Sequence, residues 1–245
     1  MSMDAGNFSQ RLAVVRERIA SACARAGRDP EAVTLVAVAK NFGPEAVAEA
    51  AGCGLAVFGE NRVQEARQKI PLCPGRLEWH LVGHLQRNKV REAVRLFRMI
   101  HSIDSASILD AVERVCAEEG CVVRACLEVN VSGEGTKFGF APDAVPPVLE
   151  RRDLAHVDLV GLMTIPPLAP ESEAARPAFR RLRQLRDEWR ASCGVDLPEL
   201  SMGMSEDFEV AIEEGATLVR IGTLLFGPRQ RADRQTDEGA EAGGG

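Results

Sequence analysis

The feature that most restricts the fold is an alternation that runs along almost the whole chain. Residues 34–38 (Thr-Leu-Val-Ala-Val) form a short apolar run, with Asp29-Pro30 before it and Gly43-Pro44 after it. A run this short between turn residues reads as a buried strand, and Pro44 suits the first position of the helix that follows, over 44–51. The unit then recurs: strand-like 55–59 before helical 62–70, 78–82 before 87–97, 99–102 before 105–119, and 122–131 before 143–151. It continues with 157–163 before 171–192, 199–202 before 206–214, and 218–221 before a short turn at 223–226. One amphipathic helix over 8–27 precedes them all, with Phe8, Leu12, Val15 and Ile19 on one face and Gly27 as terminator.

Strictly alternating strand–helix units imply a parallel sheet. Eight of them in a 245-residue chain fit a single (β/α)8 TIM barrel with an extra N-terminal helix. The competing architecture, an open doubly wound sheet, calls for a GxGxxG after its first strand, and none is present. The expected organisation is a flexible N-terminus at 1–7, one barrel domain over 8–228, and a disordered Gly-, Glu- and Arg-rich tail at 229–245.

Composition narrows the function classes. The net charge of −6 gives no electrostatic support for nucleic-acid binding. No apolar run is long enough to span a bilayer, and residues 1–8 lack the regions of a signal peptide, which reads as a cytoplasmic protein. Seven cysteines without a CxxC point to reduced thiols, several of them in apolar runs (Cys53, Cys121, Cys126), and to no metal site. The arginine-rich stretch 176–190 carries Phe179, Leu182, Leu185 and Trp189 at helical spacing, so it reads as a solvated helix face. Tyrosine is absent, which excludes any mechanism needing a phenol from this chain. The only lysines are Lys40, Lys69, Lys89 and Lys137.

A barrel of this kind places its site at the C-terminal ends of its strands. Those ends read Lys40, Glu60-Asn61, His80 with His84, His101-Ser102, Asn130, Thr164, Ser201-Met202 and Arg220. A lysine closing a buried apolar strand is partly desolvated, which lowers its pKa and favours the neutral, nucleophilic amine. Such an amine can form a Schiff base with a carbonyl compound; the plainer reading is a lysine that snorkels to solvent. After the last two strands stand Leu200-Ser201-Met202-Gly203-Met204-Ser205 and Arg220-Ile221-Gly222-Thr223. Loops at these places commonly hold phosphate, glycine admitting backbone N–H groups and Ser or Thr adding donors. An aldehyde-accepting lysine opposite a phosphate cradle suits pyridoxal 5′-phosphate, and equally a class I aldolase acting on a sugar phosphate.

Several segments then resemble the pyridoxal phosphate homeostasis proteins (the YggS/PROSC family). They are 35–40 (LVAVAK), 58–66 (FGENRVQEA), 79–89 (WHLVGHLQRNK), 101–105 (HSIDS), 128–140 (EVNVSGEGTKFGF), 161–166 (GLMTIP), 200–205 (LSMGMS) and 219–227 (VRIGTLLFG). Asn41-Phe42-Gly43 departs from the Thr or Gly and second basic residue usual there. The resemblance implies a barrel like the N-terminal domain of alanine racemase, with pyridoxal phosphate on Lys40. It also implies that Ser201, Ser205, Gly222 and Thr223 surround the phosphate. By the same carry-over Met202 packs near the ring, Asn61 lies close to the cofactor, Arg220 faces the pyridine nitrogen and His80 lines the mouth.

An always-cationic Arg220 opposite that nitrogen disfavours its protonation and weakens the ring as an electron sink. Racemases of this barrel class tolerate such an arginine but use a second base, a tyrosine from a separate domain of a partner subunit. With no tyrosine and no second domain, the expectation is a non-catalytic carrier that buffers or delivers pyridoxal phosphate, as a monomer or weak dimer, possible recipients being apo-enzymes that need it. The alternative is a pyridoxal-phosphate-dependent amino-acid racemase or a related enzyme.

Overall fold

The computed structural model describes residues 7–133, 138–167 and 169–227. The N-terminus expected to be flexible, the tail expected from 229 and Lys137 lie outside these residues, except for Asn7. Asn7 caps α1 (Phe8–Arg25), its side-chain oxygen accepting the N–H of Gln10 at 3.0 Å.

Eight strands follow: β1 (Thr34–Val38), β2 (Val57–Glu60), β3 (Glu78–Leu81), β4 (Met99–Ile103), β5 (Val123–Glu128), β6 (Val157–Met163), β7 (Glu199–Met204) and β8 (Leu218–Ile221). Each pairs in parallel with its chain neighbours, and β8 pairs with β1 from Thr34↔Leu218 to Ala37↔Ile221, closing the barrel in chain order. The intervening helices are α2 (Pro44–Gly52), α3 (Val63–Lys69), α4 (Val90–Leu96), α5 (Ala106–Glu119), α6 (Pro146–Leu149), α7 (Arg176–Cys193), α8 (Phe208–Glu213) and α9 (Thr223–Phe226). Among the described residues none is long and apolar enough to cross a membrane.

The last turn, α9, is too short to cover the outside of the sheet, and α1 packs there against α8 and α9. Phe8 meets Phe226 at 5.3 Å, Arg11 Nε donates to the Leu225 carbonyl at 2.6 Å, and Arg18 pairs with Glu209 at 2.7 Å. The extra N-terminal helix is therefore part of the barrel wall. Burying Phe8, Leu12, Val15 and Ile19 contributes about 1.5–3 kcal/mol each.

Side chains alternate across each strand, so the core divides. Ala37, Phe58, Leu81, Ile100, Leu127, Leu162 and Leu200 join the helices in one large cluster. Val36, Val38, Val82, Met99, Cys126, Val160, Met163 and Leu218 form a smaller cluster within the lumen. Four residues read from sequence as strand-end groups, His80, His101, Ser201 and Arg220, lie instead inside their strands and are buried. An apolar run ends at a polar lumen residue, but the backbone ladder does not. Met202 alternates to the other side of β7 and packs in the outer cluster. The α8 helix starts later than expected, at Phe208, with Asp207 at its cap; Asp207 Oδ1 accepts the Met204 N–H at 2.6 Å.

The arginine face of α7 is also less uniformly solvated than its spacing suggests. Arg176, Arg180 and Arg183 converge on the buried carboxylate of Glu214, at 3.2, 2.8 and 3.2 Å. Burial alone would raise the Glu214 pKa, but the three guanidinium groups outweigh it and hold the carboxyl at about 2. A depressed folded-state pKa stabilises the fold above the ordinary carboxylate range and loses that contribution as pH falls. Glu214→Gln is expected to cost about 3 kcal/mol at neutral pH. Urea unfolding at a series of pH values should show the gap between wild type and variant closing from about pH 4.5 down to about pH 2.

Candidate functional site

Lys40 follows β1 at the C-terminal rim of the barrel. It keeps the lumen-facing alternation of Val36 and Val38 and is half-buried. The chain turns sharply beyond it: Asn41 adopts φ 65°, and the Phe42 N–H returns to the Ala39 carbonyl at 3.1 Å. Asparagine tolerates this left-handed conformation better than most residues. Phe42 then stacks on Phe226 at 5.0 Å, which fastens the lysine turn to α9.

A second fastening comes from outside the lumen. Lys69, the last residue of α3, donates to the Ala39 carbonyl at 2.7 Å and to Glu60 Oε1 at 2.5 Å. Both side chains are buried, and burial pushes the Glu60 carboxyl up against the opposing pull of Lys69. This ion pair ties the ends of β1 and β2 together at the peptide that precedes Lys40. Lys69 is thus a buried structural cation, where its place on a helix suggested an ordinary surface lysine. Lys89 remains near the surface, 3.5 Å from Glu92.

The loops after β7 and β8 close in from the other side. Gly203 has φ 93°, and a Cβ there would come within 2.6 Å of Ala211 Cβ and 2.9 Å of Phe208 Cα, so only glycine fits. Ser205 follows it in the loop, half-buried. Gly222 approaches the Val38 carbonyl so closely that a Cβ would lie 3.2 Å from it, and exposed Thr223 begins α9. Ser205, Gly222 and Thr223 therefore lie past the C-terminal ends of β7 and β8, at the same end of the barrel as Lys40. Asn61 lies past the end of β2, its carbonyl tight against Gly83, on the wall of a cleft of about 630 Å³ shared with His84 and Lys89.

Below the rim the lumen is polar. Arg220 is buried; its Nη1 donates to Ser201 Oγ at 2.7 Å and its Nη2 to the Thr164 carbonyl at 3.1 Å. Burial lowers the guanidinium pKa, while Asp207 and Glu128 act in the opposite direction. Ser201 Oγ also meets His101 Nδ1 at 2.6 Å, so this hydroxyl, expected at the phosphate, is engaged deeper in the barrel. His80, expected to line the mouth, is buried with its Nδ1 2.9 Å from His101 Nε2.

Two acidic residues that the sequence reading passed over belong to the site. Glu128 ends β5 on the lumen side and is buried; desolvation first, then nearby Asp104, raises its pKa to about 7, against Arg220 and His84. Asp104 pairs with His84 at 2.7 Å on the rim. The signal for Glu128 was present: Arg124, Cys126 and Glu128 alternate on one face of a strand whose other face is apolar.

Residues 11–230 match the family described as alanine racemase, N-terminal domain. A pyridoxal phosphate homeostasis protein of Aquifex aeolicus is 47% identical over 226 residues, spanning 91% of this chain and 99% of that protein. The human protein of the same description is 37% identical, over 96% of this chain and 93% of its own length. Among solved structures, PipY of Synechococcus elongatus with PLP bound superposes with a TM-score of 0.75 at 39% identity, covering 87% of this chain and all of that one (100%). An alanine racemase from Clostridium difficile shares the fold at 16% identity with a TM-score of 0.69; this chain covers 55% of it.

The Lys69–Glu60 pair is open to a direct test. Removing one partner of a buried ion pair strands the other charge at a cost of about 3–5 kcal/mol, whereas replacing both is far milder. Lys69→Met should therefore lower unfolding stability by about that amount, and adding Glu60→Gln should restore most of it. A denaturant melt of the two variants and wild type reads the difference.

Proposed function

Because the chain belongs to the alanine racemase N-terminal domain family, as one of its pyridoxal phosphate homeostasis members, we propose that it binds pyridoxal 5′-phosphate at Lys40 and buffers or delivers it without turning over a substrate. The observation that carries this reading is the convergence on one mouth of a half-buried lysine, a buried arginine and two glycine-hydroxyl loops. These residues fit the cofactor. Its aldehyde condenses with an amine and so allows reversible covalent attachment to a lysine. The lysine turn, pinned by Lys69 and by Phe42 on Phe226, presents one amine at the rim. Ser205, Gly222 and Thr223 offer hydroxyls and backbone N–H groups for the phosphate, with Gly203 letting the first loop close on the barrel. Arg220 supplies a fixed cation toward the ring nitrogen, with Asn61 at the cofactor's edge.

Ser201 and Met202 then act from behind the cofactor. The Ser201 hydroxyl holds Arg220, and Met202 packs the strand that carries both loop and serine. His80 acts at the same remove, through His101. Seven free cysteines suit a reducing compartment, and we place the protein in the cytoplasm, as a monomer or weak dimer serving apo-enzymes that need the cofactor.

One observation favours the rival reading of an amino-acid racemase or related enzyme. Glu128, with its pKa raised to about 7, could move a proton near neutral pH. Against it stand the cationic Arg220 at the ring and the absence of tyrosine. Titration of pyridoxal phosphate followed by absorbance should show Ser205→Ala and Thr223→Ala each weakening binding about ten- to a hundredfold. The loaded protein, incubated with L- and D-amino acids, should yield no repeated turnover. It should transfer cofactor to an apo-enzyme faster than it releases it to buffer. Multiple turnover would overturn the carrier reading in favour of the enzyme.

A further inference from the structure

The lumen holds an unbroken line of side-chain contacts from the site to the opposite end of the barrel. Arg220 Nη1 lies 2.7 Å from Ser201 Oγ, Ser201 Oγ 2.6 Å from His101 Nδ1, His101 Nε2 2.9 Å from His80 Nδ1, and His80 Nε2 2.9 Å from Glu78 Oε1. Four strands, β8, β7, β4 and β3, each supply a member. Glu78 is the first residue of β3, at the N-terminal end of the barrel, and its side chain is 41% exposed; Arg220, Ser201, His101 and His80 are buried.

The donors and acceptors in this line take a single order once Glu78 is ionised and each imidazole holds one proton. A guanidinium can only donate, so the Ser201 oxygen accepts from Arg220. A hydroxyl oxygen can accept twice, so the order is set from the other end: the Glu78 carboxylate accepts from His80 Nε2 and, with one proton on each imidazole, His80 Nδ1 accepts from His101 Nε2 and His101 Nδ1 accepts the Ser201 proton. Both neutral imidazoles therefore bear their proton on Nε2. Burial, reinforced by the Arg220 charge, holds His101 well below the ordinary histidine pKa and so keeps it neutral. The hydrogen bond to His80 outweighs burial at Glu78 and keeps that group ionised.

We propose that His101 and His80, anchored by Glu78, are positioning residues that act through Ser201 to fix the plane and direction of the Arg220 guanidinium toward the cofactor's ring nitrogen. A guanidinium with two terminal nitrogens needs two fixed acceptors to hold its plane. The Thr164 carbonyl is one, and a Ser201 oxygen whose proton is committed elsewhere is the other. Were His101 Nδ1 to donate instead, the Ser201 proton would be released to turn toward Arg220 and oppose the guanidinium. The role at the ring rests on the cofactor reading above, whereas the order of donors and acceptors does not.

The chain has only four histidines, so nitrogen-15 labelling of histidine gives a spectrum assignable with single variants. In the cofactor-free protein at neutral pH, His101 and His80 should both appear as neutral imidazoles protonated on Nε2. Glu78→Ala, which touches neither Arg220 nor the cofactor, should mix the tautomers of both. Ser201→Ala and Glu78→Ala should each weaken pyridoxal phosphate binding about tenfold or more, and Ser201→Thr, which keeps the hydroxyl, should not. The loss should vanish for the analogue with C–H in place of the ring nitrogen. A cationic or Nδ1-protonated His101 or His80 in the wild type would overturn the proposal. So would folded Ser201→Ala and Glu78→Ala proteins that bind like wild type. A wild type that forms no adduct would overturn the cofactor reading and, with it, the role of the line at the ring, while the tautomers would still judge its order.

Discussion

A permanently charged guanidinium inside the barrel is the constraint to which the lumen answers. Burying an ion costs several kcal/mol unless hydrogen bonds and opposite charge compensate. Arg220 finds both: Ser201 Oγ and the Thr164 carbonyl accept from it, and Asp207 and Glu128 lie close enough to favour its charge. The middle of a TIM barrel is usually filled by branched aliphatic residues. Here His80, His101 and Ser201 take those places, and the apolar lumen cluster is left with eight buried members around them.

The rim is organised by packing from outside the lumen. The turn after β1 is held by a buried lysine from α3 at Ala39 and by an aromatic stack on α9 at Phe42. Two glycines let the loops after β7 and β8 pack closely, Gly203 at a positive φ against α8 and Gly222 against the Val38 carbonyl of β1. The Lys40 amine, the hydroxyls of the two loops and the buried Arg220 are thus set by three separate interactions, each on a rigid element. This is the arrangement expected of a site that must recognise one ligand with covalent, anionic and aromatic parts.

The barrel was legible because apolar runs of strand length alternate with helical spacings, and those patterns follow directly from periods of 2 and 3.6. Lys40 and the two loops were legible for the same reason: they interrupt the pattern where strands stop. What the pattern hid were polar residues within strands. His101 reads as a strand end when the strand is defined by its apolar residues, yet β4 continues through Ile103. Glu128 falls inside the strand-like run 122–131, where only its alternation with Arg124 and Cys126 marks the lumen face. Met202 stands beside Ser201 in the sequence, yet a strand sends neighbours to opposite faces and Met202 packs in the outer cluster. Lys69 could not be told from a surface lysine, since its partners at positions 39 and 60 are distant in sequence. Contacts between elements leave no trace in local periodicity.

The central claim is that Lys40, and no other lysine of this chain, is the covalent attachment point of pyridoxal phosphate. The most direct measurement is borohydride reduction of the protein saturated with the cofactor, followed by peptide mapping by mass. One reduced adduct per chain, on the peptide carrying Lys40 and lost in Lys40→Ala, is the expected result. An adduct on Lys69, Lys89 or Lys137 at equal yield, or unchanged labelling in Lys40→Ala, would contradict the account.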